Sequence, residues 1–208
     1  MARLIDAASA SKKRSAIIGT AAKALWKNKR ENPDEWGAHN RVYPAGSGVP
    51  GERDPGLTPY NIPFCRAFGD HRYRRVVLVE AAQCGKTEGF LDIIGERLDN
   101  RPAPALYVGP SKEFVTDQFE PRLVDMFRQS KTLLPKVLGG IDGKKQKKTL
   151  KRVAGTRLRL AHAGSSTALK SDQASYALVD EYDEMLRNVK GQGDPLGLVE
   201  ARGDTYAD

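Results

Sequence analysis

The chain has 208 residues, enough for one domain with a hydrophobic core plus extensions. Its mean hydropathy of -0.53, with no apolar run near the ~20 residues of a membrane-spanning helix, excludes an integral membrane protein. The formal net charge of +8 favours a polyanionic partner such as nucleic acid.

The start of the chain lacks the long apolar stretch of a secretory signal. The two cysteines, Cys65 and Cys84, are too few for a disulfide scaffold. We therefore expect an intracellular protein that does not contact a membrane.

Residues 7–30 interleave alanine and other apolar residues with lysine and arginine, which predicts a basic helix. This helix is either a solvated extension or a contact for DNA or a partner protein.

Residues 32–63 contain many prolines and glycines, and this composition predicts a flexible linker without regular elements. The basic helix and the linker together are expected to form an N-terminal arm over residues 1–56. The main domain is expected over residues 57–208.

The main domain shows an alternation of strand and helix patterns. Residues 74–80 are apolar on both faces, which predicts a central parallel strand. A short helix is predicted before this strand, at residues 60–68. The later predictions are a helix at 87–98, a strand at 105–108, a helix at 112–128 kinked at Pro121, and strands at 156–161 and 176–179. This order predicts an α/β fold with a mostly parallel sheet flanked by helices.

The strongest signal for chemistry is the sequence Glu-Ala-Ala-Gln-Cys-Gly-Lys-Thr at residues 80–87, between a predicted strand and a predicted helix. A phosphate-binding loop requires this context, because backbone N–H groups and a helix N-terminus surround the phosphates. Lys86 then neutralises the β- and γ-phosphates, and the Thr87 hydroxyl ligates Mg²⁺. The usual first glycine of the pattern is Glu80 here.

A second signal is the apolar strand at 176–179, which ends in Asp180 and Glu181. Alone, such a pair commonly marks only the point where the chain leaves the sheet for solvent. Beside a phosphate-binding loop, the first carboxylate holds Mg²⁺ through water and the second polarises the attacking water. The two signals predict a P-loop NTPase of the additional-strand type with a catalytic glutamate.

Two further segments have both a functional and a plain interpretation. Basic residues after residue 143 either contact DNA phosphates or form a solvated surface. They are Lys144, Lys145, Lys147, Lys148, Lys151 and Arg152. The loop at 163–171 contains glycine and small hydroxyl residues, which either wrap phosphate oxygens or form an ordinary turn.

With these motifs in place, the chain resembles the ATPase region of bacteriophage terminase large subunits of the lambda-like GpA family, from about residue 58 to 208. The segments that carry the resemblance are Thr58-Pro59-Tyr60, residues 82–88, Val108-Gly109-Pro110-Ser111, residues 164–166, 169–171 and 179–183, and residues 191–195. A phosphate-binding loop without its first glycine is usual in that family, so Glu80 supports the resemblance.

The resemblance implies an ATP-driven motor that packages double-stranded viral DNA into a capsid. Its cofactors are ATP and Mg²⁺, and its partners are the portal protein, the small terminase subunit and further copies in a ring, in the cytoplasm of the bacterial host. The implied nucleotide-binding residues are Gln83, Cys84, Gly85, Lys86, Thr87, Glu88 and Tyr60. The implied metal ligands are Thr87 and Asp180, and the implied catalytic residues are Lys86 and Glu181.

The family continues into a coupling motif and a nuclease domain, whereas this sequence stops at residue 208. We therefore expect no nuclease activity and weak ATP turnover, and no arginine finger is assigned. One alternative is a helicase-like DNA translocase. Another is an inactive prophage remnant that binds DNA or a phage partner without ATP turnover.

Overall fold

A computed structural model describes residues 31–70, 72–81, 83–170 and 173–201. The helices are α1 (Pro33–Asn40), α2 (Asn61–Phe68), α3 (Lys86–Asn100), α4 (Glu120–Gln129), α5 (Ser166–Lys170) and α6 (Pro195–Glu200). The strands are β1 (Val42–Tyr43), β2 (Gly51–Glu52), β3 (Ala105–Gly109), β4 (Leu150–Val153), β5 (Thr156–His162) and β6 (Tyr176–Val179). The basic helix predicted at 7–30 lies outside the described residues.

The main sheet has four strands in the order β4-β5-β3-β6. β3 pairs in parallel with both β5 and β6, and β4 pairs antiparallel with β5. The chain therefore has an α/β fold with a mixed sheet flanked by helices. The strands predicted at 105–108, 156–161 and 176–179 are confirmed, with ends that differ by at most one residue.

β3 is buried along its whole length. Alternate side chains of a strand point to opposite faces of the sheet. Accordingly, Tyr107 packs in a core with α3 and α4, whereas Leu106 and Val108 pack in a second core with α5 and α6. This two-sided burial explains why β3 reads as a continuous apolar run in the sequence.

The central strand predicted at residues 74–80 is wrong: this segment forms no strand in the structure. Val76 and Leu78 pack against the core, but Val77 and Val79 are 73% and 89% exposed. A central strand requires apolar contacts on both faces and a hydrogen-bonded neighbour on each side. In the described part of the chain, only one face of this segment is covered.

The irregular linker predicted at residues 32–63 is also wrong in its first part. Pro33 lies in the first turn of α1, where a missing N–H costs no hydrogen bond. Trp36 is fully buried, and its Nε1 donates to Asp99 Oδ2 at 2.9 Å. The prolines and glycines here therefore begin a helix and shape the β1–β2 hairpin, and Trp36 joins this segment to α3.

The helix predicted at 87–98 is confirmed as α3, and the short helix predicted at 60–68 is confirmed as α2. The helix predicted at 112–128 is confirmed: residues 112–129 are helical throughout, with a π-helical stretch, Phe114–Phe119, directly before α4. Pro121 lies in the first turn of α4, and at the place of the predicted kink the helix changes from π to α geometry.

Across the described ranges, no helix is both long and apolar enough to cross a membrane.

Replacement of Gly95 by alanine tests the packing of α1 on α3. A Cβ atom at this position would lie 1.8 Å from Trp36 Cζ3, so the indole ring would have to move. We expect Gly95→Ala to lower the free energy of unfolding by about 2 kcal/mol, measured by urea denaturation.

Gly197→Ala is the matched control, because a Cβ atom at Gly197 meets nothing within 4 Å. We expect this control to be neutral or slightly stabilising, since alanine favours a helix. An unfolding midpoint for Gly95→Ala equal to that of the wild type would contradict the burial of Trp36 against α3.

Candidate functional site

The loop before α3 has a backbone shape that suits an anion. Gln83 and Gly85 have left-handed backbone conformations, with φ of 60° and 82°. Asn61 Nδ2 donates to the Gly85 carbonyl at 3.2 Å, so α2 supports the loop. α3 begins directly afterwards at Lys86. Its first N–H groups have no partner within the helix, and a loop that turns N–H groups inward extends this positive concavity.

The end of β6 lies beside the end of β3. The Asp180 amide donates to the Val108 carbonyl at 2.9 Å, which continues the parallel pairing past the strand. The Asp180 side chain is buried, and its Oδ2 accepts a hydrogen bond of 2.8 Å from the Tyr107 hydroxyl. Glu181 follows with a left-handed backbone, φ 50° and ψ 50°, and begins the 3₁₀ turn Tyr182–Glu184.

A direct contact joins the loop to the strand end. Lys86 Nζ donates to Glu181 Oε2 at 3.0 Å, and both side chains are partly buried. This hydrogen bond is the main cause that raises the pKa of Lys86, so the ammonium is retained. The structure therefore brings together two segments that the sequence separates by 95 positions.

Burial raises the pKa values of three groups around this contact. Burial raises the pKa of Asp180, and the hydrogen bond from Tyr107 acts in the opposite direction. Burial also raises the pKa of Tyr107 well above its ordinary value, so its hydroxyl remains a donor. Glu80, at the position of the usual first glycine, has a pKa raised by burial and opposed by Lys86.

Glu88, a predicted nucleotide-binding residue, already has three partners in the structure. Its carboxylate accepts hydrogen bonds from Arg41, from Arg122 and from the Tyr43 hydroxyl. Burial alone would raise the pKa of Glu88, but the two arginines outweigh burial and hold the pKa below its usual range. Arg41 is itself buried and also pairs with Asp92 on the next turn of α3.

Sequence reasoning missed this cluster of acidic and basic side chains. Its members come from segments up to 81 positions apart, and no spacing between them marks a shared site. The only signal was the presence of two acidic residues, Glu88 and Asp92, on the early turns of a predicted helix. In the structure, the cluster anchors the first two turns of α3, directly after the loop that carries Gln83 and Gly85.

A cavity of about 600 Å³ opens next to this cluster. Its walls come from the β1–β2 hairpin, α3 and α4, and Thr58 and Gln83 line the side toward the loop. This volume is in the range of small-molecule sites. Tyr60, the other predicted nucleotide contact, is half-exposed beside Cys84 and is not among the residues that line the cavity.

Of the six predicted DNA-binding residues, one is buried and five are exposed. Lys151 is buried, and its ammonium pairs with Glu120. Lys148 is exposed and lies 3.7 Å from Asp117. The remaining four are exposed side chains. They are Lys144, Lys145, Lys147 and Arg152.

The site residues fit a magnesium ion that is shared with a nucleotide. Within the described ranges, no group of three or more His, Cys, Asp or Glu could hold a metal ion. Magnesium in nucleotide sites does not need such a group, since it is held by one or two protein oxygens, by phosphates and by water. Asp180, which lies close enough to Lys86 to affect its pKa, and the Thr87 hydroxyl in the first turn of α3 are the protein oxygens that would hold the ion.

A known protein family matches the part of the chain that contains these site residues. The family described as phage terminase large subunit gpA, ATPase domain, matches residues 47–208. This match covers more than half of the chain, and the chain belongs to this family. No curated protein and no solved structure matches it.

Proposed function

We propose that this member of the gpA ATPase-domain family binds ATP with Mg²⁺ and hydrolyses it to move double-stranded DNA into a viral capsid. The observation that carries the proposal is the 3.0 Å contact between Lys86 and Glu181. It joins a helix N-terminus suited to phosphate with a carboxylate suited to activating water.

In this proposal, different residues bind the phosphates, hold the metal ion and activate water. The amide groups at the start of α3 and the Lys86 ammonium bind the phosphates. The Glu181 carboxylate takes the proton of the attacking water. Thr87 and Asp180 would hold Mg²⁺, which would neutralise phosphate charge. Gln83 and Cys84 contribute loop backbone.

The pairing of Lys86 with Glu181 suggests how the site stays inactive without nucleotide. The triphosphate carries several negative charges, so it attracts the Lys86 ammonium more strongly than a single carboxylate does. ATP binding therefore releases Glu181 to orient water. Glu88 and its two arginines hold α3 in place during this exchange.

DNA is the polyanion that fits the basic surface. Lys144, Lys145, Lys147 and Arg152 present exposed cations, and Lys148 lies close to them in sequence. Lys151 is left out of this surface because Glu120 already neutralises it. In this proposal the ATPase acts as a ring on the portal protein with the small terminase subunit, in the cytoplasm of the bacterial host.

Replacement of Lys86 by alanine tests nucleotide binding. Loss of a charge-assisted hydrogen bond to phosphate is expected to weaken ATP binding by about 10-fold to 100-fold. The measurement is titration with a fluorescent ATP analogue in the presence of Mg²⁺. Lys131→Ala, at an exposed lysine after α4, is the control and should bind as the wild type does. Equal binding by Lys86→Ala and the wild type would overturn the proposal.

Replacement of Glu181 by glutamine separates binding from hydrolysis. The amide keeps the size of the side chain but cannot accept the proton of water. We expect phosphate release to fall by about 10²-fold to 10⁴-fold while ATP binding is retained. Glu184→Gln, at an exposed acid in the adjacent 3₁₀ turn, serves as the control. Hydrolysis by Glu181→Gln at the wild-type rate would reject the role of Glu181.

Neutralisation of Lys144 tests the DNA surface. We expect Lys144→Gln to weaken binding of double-stranded DNA and to reduce the slope of log affinity against log salt by about 1. Fluorescence anisotropy at several salt concentrations measures this slope. Lys131→Gln, which removes the same charge elsewhere, should leave the slope unchanged. An identical slope in both variants would remove Lys144 from the DNA surface.

A further inference from the structure

We propose that Tyr107 is a positioning residue that holds the Asp180 carboxylate in the orientation required for Mg²⁺. This inference rests on the proposed ATPase function, in which Asp180 is a metal ligand. Nothing in the phosphate-binding loop or in the acidic pair points to Tyr107, which lies in the middle of β3. The observation behind the inference is that the Tyr107 hydroxyl donates a hydrogen bond of 2.8 Å to Asp180 Oδ2.

The strand register explains how Tyr107 reaches the end of the neighbouring strand. Tyr107 is opposite Leu178 in the parallel pairing of β3 and β6. Both side chains pack in the same core. Asp180 is two residues beyond Leu178, and residues two apart on an extended chain share a face of the sheet. The tyrosine side chain therefore extends along that face to the carboxylate.

Aromatic contacts fix the ring of Tyr107. Phe119, the last residue of the π-helix, stacks on it with a centroid distance of 3.5 Å and an interplanar angle of 7°. Phe90 of α3 packs edge-on at 6.4 Å and 82°. Tyr107 is fully buried. With its ring held on two sides, the hydroxyl has little freedom to leave Asp180.

A fixed donor matters because the terminal torsion of aspartate is otherwise broad. The hydrogen bond occupies one acceptor position of the carboxylate, which has about four such positions. The Glu181 backbone N–H also donates to this carboxylate, and the positions that remain can take the metal or its water. Groups that orient a metal ligand in this way typically change metal affinity by 10-fold to 100-fold when they are removed. Phe90 also links the ring to α3, the helix that begins with Lys86.

Tyr107→Phe removes the hydroxyl and keeps the aromatic packing. Tyr176→Phe is the matched control: Tyr176 lies on β6, and its buried hydroxyl has no hydrogen-bond partner within the described ranges. Binding of N-methylanthraniloyl-ATP would be titrated with Mg²⁺ for the wild type and both variants. Binding would also be measured in EDTA.

For Tyr107→Phe we expect the Mg²⁺ concentration at half-maximal effect to rise about 10-fold, with unchanged binding in EDTA. For Tyr176→Phe we expect wild-type behaviour in both conditions. The same Mg²⁺ dependence in Tyr107→Phe and the wild type would overturn the inference. Weaker binding by Tyr107→Phe in EDTA would also overturn it, since that result indicates a general structural role. Absence of nucleotide binding by the wild type would instead overturn the proposed function itself, and the inference with it.

Discussion

The position of β3 is the constraint on which the rest of the site depends. β3 is hydrogen-bonded on both sides and buried on both faces, so its residues cannot shift without disturbing two cores. Its Val108 carbonyl fixes the Asp180 backbone, and its Tyr107 hydroxyl fixes the Asp180 side chain. The strand that carries no charged residue therefore determines where the acidic end of β6 lies.

The start of α3, which follows the proposed phosphate-binding loop, is held in a different way, through charge. Glu88 and Asp92, on successive turns of α3, share the buried Arg41, and Asp92 also lies 3.3 Å from Arg53. Buried charges that lose a partner are costly, since the remaining charge stays out of water. The cluster therefore ties α3 to the segment around the β1–β2 hairpin. That segment was expected to be a linker, but it supports the first turns of the helix that carries Lys86.

Together these contacts hold α3 and the end of β6 on two sides of the Lys86–Glu181 pair. α3 is fixed by Trp36 and by the charge cluster, and the end of β6 is fixed by β3. Between them, Lys86 and Glu181 meet through long side chains that can exchange partners. Membership of the gpA ATPase-domain family agrees with this arrangement. In the proposed function, this pair separates when phosphate binds, which couples nucleotide binding to activation of water.

The sequence by itself determined the features that depend on neighbouring residues. The loop from Gln83 to Thr87, the helix after it and the strand before Asp180 were all predicted, because periodicity and turn chemistry are local properties. The family resemblance also came from the order of such short segments. Only the tertiary structure decided which of these elements meet.

Features that depend on distant contacts were decided by the tertiary structure alone. Residues 74–80 have the composition of a central strand, yet only one of their faces is covered in the described structure. Lys151 looked like part of a basic surface until folding placed it against Glu120. Arg41 and Tyr107 carried no signal, because their partners lie 47 and 73 positions away along the chain. Burial and pairing depend on what the fold brings near, and a pattern of adjacent residues does not contain that information.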